Sequence, residues 1–219
     1  MQAIYLGLAL LMGGGLVGFG IGGNSNGGGI FDAIVGSSGN GDSATSTLDK
    51  RIKNELAATR RDPKNPALWA QLTRLRYQRA TLDGLAADQQ TYTAKGKATL
   101  RLASDSWEHY LALNPKNADT RVARLMVQVY AATGIDEPTN AVKAMEIVTA
   151  AEKPPSSNLF AQLAQLAYQA GQTRTGDLAS GRAVDLADKS TRKALKAQLD
   201  QIKTAAATAA AQAATTTTG

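Results

Sequence analysis

The stretches DPKNPALW at 62–69 and NPKNADTR at 114–121 echo one another, and each is followed by an Ala/Leu-rich run with aromatics at helical intervals. Self-similarity of this kind marks a chain built from stacked units, none of which can bury its apolar face alone. The fold predicted from it is all-α: an α-solenoid of about three helical hairpins with capping helices. Such folds present curved surfaces that bind other polypeptides far more often than they turn over small molecules.

Working outward, Leu48, Ile52, Leu56 and, one position off, Thr59 share one helical face, with Lys and Arg on the other side and Asp62-Pro63 as the stop. This helix is expected to cap the array. After it, Leu68, Trp69, Leu72, Leu75 and Arg79 keep the same spacing, with Pro66 suited to a first turn. Trp69 and Leu72 are expected in the core. The segment from Ser190 to Ile202, with Leu195, Leu199 and Ile202 on one face, reads as the closing cap. The Ala/Thr-rich tail, 204–219, is expected to extend that helix and then fray.

These residues resemble the tetratricopeptide repeat, whose pattern runs Trp-x2-Leu-small-x2-Tyr, then Ala-x3-aromatic, then Pro. Trp69, Leu72 and Thr73 match the first helix, with Tyr77 one place late; Ala103, Trp107 and Pro115 match the second. Between them, roughly Thr81 to Lys97 is extra sequence, expected to lengthen the second helix backward and widen the hairpin loop. The middle unit lacks the tryptophan, with Arg121 or Ala123 in its place. Tyr130 and Gly134 end its first helix; Ala141, Met145 and Val148 line the second ahead of Pro154 and Pro155. The third unit has Phe160, Leu163 and Ala164 in register and Gly171 at the hairpin turn, with Gly176, Ser180 and Ala183 as small packing residues. Its Tyr168 repeats the one-place shift of Tyr77. A plain helical bundle is the alternative. Against it stands the recurrence of Pro-Lys-Asn linkers, small residues and aromatics in one order.

Ahead of the repeats, 2–22 (QAIYLGLALLMGGGLVGFGIG) carries no charge and is about long enough to cross a hydrocarbon core as one transmembrane helix. Its seven glycines weaken insertion. A cleaved signal peptide is the competing reading; the absence of Lys or Arg before Lys50 and of an Ala-x-Ala site favours an uncleaved anchor. Gly14, Gly18 and Gly22 would line one helix face and allow a homo-oligomer through close helix approach, unless they only reflect Gly-rich composition. Residues 23–47 read as a Gly/Ser-rich flexible linker with an apolar island at Ile30, Phe31, Ala33, Ile34 and Val35. The repeat domain is assigned to 48–203.

Charge is uneven: between 49 and 80, nine basic residues, Lys50, Arg51, Lys53, Arg60, Arg61, Lys64, Arg74, Arg76 and Arg79, face three acids, which equals the chain's whole formal +6. Such a segment can sit against anionic headgroups or attract an acidic partner or nucleic acid. A solvated helix face is the plainer reading, and with no stacking motif beside it no nucleic acid is expected.

The absence of cysteine removes thiolate nucleophiles, disulfides and Cys-based zinc sites together. His109, the lone histidine, has Asp105 four residues before it, a pairing that can orient an imidazole. With no nucleophile beside it, His109 is read as a surface residue. Asp32, Asp42, Asp136 and Glu137 form no calcium loop or carboxylate dyad. No catalytic residue, cofactor or metal is therefore assigned. Trp107, Tyr110 and Tyr130 suit either a binding groove or the core, with the core favoured for Trp107 by its repeat position.

The resemblance implies a concave face, made by the first helix of each hairpin, that grips a peptide or helix. By position it takes Gln71, Arg74, Gln78, Arg124, Gln128, Gln162 and Gln165. The expected function is a non-enzymatic, single-pass, membrane-tethered scaffold that binds another protein or peptide. An envelope-assembly or chaperone-like adaptor on the extracytoplasmic side is the alternative, and the repeat domain is expected on that side.

Overall fold

The computed structural model describes residues 41–85 and 91–216, with side chains described from Ala44 to Ala213 outside the 86–90 gap. The transmembrane reading of 2–22, the glycine face at Gly14, Gly18 and Gly22 and the island at 30–35 lie outside those residues. Among the described residues no helix is long and apolar enough to cross a membrane.

The chain is all-α, with eight helices among the described residues: α1 (Gly41–Arg61), α2 (Pro66–Gly84), α3 (Ala94–Ala112), α4 (Thr120–Tyr130), α5 (Pro138–Ala151), α6 (Ser157–Gln169), α7 (Thr173–Leu186) and α8 (Arg192–Thr216). Three hairpins pair α2 with α3, α4 with α5 and α6 with α7. Each hairpin meets the next: α4 packs on α2 and α3, α6 on α5, and α8 closes on α6 and α7. This packing is that of a repeat-like helical fold.

The core follows the helical spacing. Leu72, Leu100, Ala103, Val122, Met126 and Val129 are fully enclosed, and Trp107 is 2% exposed. On the later hairpins Ala141, Met145, Val148, Leu163, Ala164 and Ala183 are buried, and Leu195 and Leu199 seat α8. Helix starts follow local chemistry. Asn65 caps α2 by accepting from the Ala67 amide, with Pro66 next, and Ser156 caps α6 through the Leu159 amide.

Two glycines of the third hairpin are needed where they stand. Gly171 has φ +70°, the left-handed conformation that ends α6, and its amide bonds back to the Tyr168 carbonyl. Gly176 faces the Tyr168 ring so closely that a β-carbon there would lie 2.4 Å from it. The bare backbone lets α7 approach α6 at this crossing.

Several expectations change. Trp69 is not core: it is half-buried at the first turn of α2. Its indole N–H donates to the Pro63 carbonyl at 2.8 Å, and its ring stacks on His109 at 4.4 Å. Phe160, in the first turn of α6, is likewise half-buried. Helix α1 begins at Gly41, seven residues before the periodic stretch at Leu48. The extra sequence lengthens both arms of the first hairpin: α2 and α3 have 19 residues each, against 11 and 14 in α4 and α5. Gly84 and Gly96 let the chain return there, with an antiparallel bridge between Leu85 and Tyr92.

Replacing Trp107 with Ala is expected to lower the unfolding free energy by about 3–5 kcal/mol, and replacing half-buried Trp69 by clearly less. Urea unfolding of the two variants at unchanged m-value measures the difference.

Candidate functional site

The first and second hairpins are joined by a line of polar contacts along α2, α3 and α4. At one end stands Asp119, which caps α4 by accepting from the amides of Arg121 and Val122. The same carboxylate accepts from Arg74 Nη1 of α2 at 2.9 Å, and the Asp119 amide donates to the Tyr110 hydroxyl of α3 at 2.6 Å. One residue thus ends a loop, starts a helix and holds two neighbours.

In the middle, the Tyr77 hydroxyl of α2 donates to Gln128 Oε1 of α4 at 2.8 Å. At the far end the hydroxyls of Ser104 and Tyr130 lie 2.8 Å apart in the buried seam between α3 and α4. The Tyr92 amide also reaches the Thr133 carbonyl, joining the turns of the two hairpins.

Burial sets the protonation of these phenols. It raises Tyr77 above the ordinary tyrosine range, with the hydrogen bond to Tyr92 pulling back, and burial followed by the nearby Tyr77 raises Tyr92. Tyr130 is pushed up to about 12 by burial, against the pull of its Ser104 bond. All three keep their protons at neutral pH and remain available as donors.

The residues expected to line a binding face fall into three groups. Gln71, Arg74 and Gln78 run along α2, with Gln71 Oε1 accepting from Arg74 at 3.0 Å, and Gln128 joins them through Tyr77. Arg124 is exposed on α4 and pairs with Glu152, just past the end of α5, at 2.9 Å. Gln162 and Gln165 are half-buried on α6, which packs on α5, α7 and α8. The first two groups share the α2–α4 face, and α6 lies one hairpin on. Gln78 Oε1 is buried and has no hydrogen-bond partner among the described residues.

Two of the cations assigned to this face are therefore already matched: Arg74 by Asp119 and Arg124 by Glu152. What remains open is amide chemistry, which both donates and accepts and suits an extended peptide backbone.

Other candidates settle differently. His109 is exposed on α3 and stacks on Trp69 rather than bonding Asp105. No group of His, Cys, Asp and Glu among the described residues could hold a metal. Sequence reading missed Asp119 and Asp83. Asp83 lies in the extra stretch, yet its carboxylate accepts from Arg79, Lys95 and Thr99. Burial pushes its pKa up, but those donors outweigh it and hold Asp83 below the usual carboxylate value. The signal for Asp119 was present: an Asp ahead of Thr-Arg and an apolar run is a helix-capping pattern.

Comparison with protein-family models, curated proteins and solved structures finds no match.

Asp119→Ala is expected to lower stability by about 1–2 kcal/mol, since it removes the α4 cap along with the Arg74 pair. Asp119→Asn keeps a capping oxygen and should lose well under half of that. Thermal unfolding of both variants separates cap from charge.

Proposed function

We propose that this chain is a membrane-tethered, tetratricopeptide-like scaffold that binds another protein or peptide along the first helices of its hairpins. The observation that carries the reading is the α2–α4 face, where Gln71, Arg74 and Gln78 follow one another along α2 and the bonds of Arg74 to Asp119 and of Tyr77 to Gln128 cross to the next hairpin. A surface fixed in this way loses little side-chain freedom when a partner arrives. Its glutamines offer paired donors and acceptors to a peptide backbone, and Gln162 and Gln165 offer the same chemistry on α6, one hairpin on.

The tether is residues 2–22, and the Gly-rich stretch after it gives the domain reach. Holding a binding face near a membrane raises the effective concentration of membrane-bound partners, to the mM range for short linkers. Shape and placement do the work in this scheme, and no reaction is assigned.

Screening the purified full chain against immobilised extended peptides tests the face. The paired substitution Gln71→Ala with Gln165→Ala is expected to weaken the best binders by about tenfold at unchanged melting temperature. Equal affinity in variant and parent would contradict the assignment.

A further inference from the structure

Helix α1 turns Leu48 and Thr59 into the fold, with Ile52 and Leu56 half-buried between them. At about 100° per residue, Lys50 and Arg61 project from the opposite side and Lys53 and Arg60 lie toward one flank, and all are exposed. Arg51 flanks this face and Lys64 follows it, also exposed.

The acids nearby do little to neutralise it. Asp49 is drawn to Arg79 of α2 at 2.7 Å, Glu55 lies on the half-buried side, and exposed Asp62 stands just past the helix end. Among the described residues none of these six cations forms an ion pair. The arginines of α2 behave in the opposite way: Arg74 holds Asp119, Arg76 bonds the Leu102 carbonyl and Ser106, and Arg79 bridges Asp49 and Asp83. Five of the nine cations in the basic stretch are thus displayed on α1 and a sixth, Lys64, just past its end, outside the ion pairs that hold α2.

We propose that this face of α1 docks on an anionic lipid surface. Charge complementarity and placement in the chain select that occupant. From Lys50 to Arg61 the helix rises about 17 Å, a straight cationic segment suited to a flat, diffuse anionic plane. Helix α1 has no aromatic side chain on which a base could stack. The uncharged apolar stretch 2–22 lies just upstream, and the 18 residues between Gly22 and Gly41 span at most about 60 Å. The inference leans on the tether reading for that placement. Attraction of this kind is electrostatic and fades with salt.

The test adds the full chain to phosphatidylcholine vesicles and to vesicles in which phosphatidylserine replaces part of the phosphatidylcholine. It reads vesicle association together with acetylation of Lys50, Lys53 and Lys64 by mass spectrometry. Protection of these lysines is expected only with phosphatidylserine and should vanish at high salt. The triple variant Lys50→Gln, Lys53→Gln, Arg60→Gln should lose on the order of a hundredfold in preference for phosphatidylserine, at about fivefold per cation. Lys189→Gln with Lys193→Gln, which removes exposed cations elsewhere, should leave that preference intact.

A chain that binds both vesicles with these lysines equally reactive overturns the inference while leaving the tether in place. Binding only to phosphatidylserine vesicles supports the inference and removes the tether, and binding to neither overturns both. A duplex DNA that protects the same lysines when phosphatidylserine does not overturns the inference in favour of nucleic acid, as does equal loss in the control variant.

Discussion

A helical hairpin has two apolar faces, and pairing its own arms covers only one. Every other feature of the fold depends on covering the second with the neighbouring hairpin. In the first hairpin Leu72, Leu100 and Trp107 are enclosed, and in the second Val122, Met126 and Val129 are. Burial of large side chains is worth roughly 1.5–3 kcal/mol each, so the stacking is driven by area. Register is set by polar pairs. Arg74 with Asp119, Tyr77 with Gln128 and Ser104 with Tyr130 are spaced along the seam, so sliding α4 by a turn would break all of them and strand buried hydroxyls.

The same seam places the candidate binding face. Because α4 packs on both α2 and α3, the first helices of the first two hairpins lie side by side, while α6 of the third packs on α5. The tetratricopeptide pattern that the sequence resembles implies a row of first helices, and the bonds that set the α2–α4 pair here are Arg74 with Asp119 and Tyr77 with Gln128. Tyr77 and Tyr168 each stand one place later than the tyrosine of the pattern that the sequence resembles, and the two serve different ends. Tyr77 bonds across to the next hairpin, while Tyr168 bonds Asp177 of its own second helix and packs on Gly176.

Much of this was legible in the chain because it is local or periodic. Helical spacing placed Leu72, Trp107, Met145 and Leu163, and the turn glycine Gly171 and the packing glycine Gly176 follow from what a tight turn and a close crossing require. What was not legible depends on contacts distant in sequence. Trp69 matches the repeat motif, yet its burial depends on what stands at the end of the hairpin, where its ring stacks on exposed His109. Similarly, nine cations between 49 and 80 look alike as a composition. Only the fold separates Arg74, Arg76 and Arg79, which are spent within it, from the outward set on α1. The candidate site was legible as a row of positions on first helices. The pairing of Arg74 and Arg124 with acids, which changes the face from cationic to amide in character, was not.

The central claim is that adjacent hairpins interlock through the α3–α4 seam. A double-mutant cycle on Ser104→Ala and Tyr130→Phe measures it most directly, because the two groups are 26 residues apart and meet only if the hairpins stack as described. A coupling energy of about 0.5–1.5 kcal/mol in chemical unfolding is expected. Strictly additive effects of the two substitutions would contradict the account.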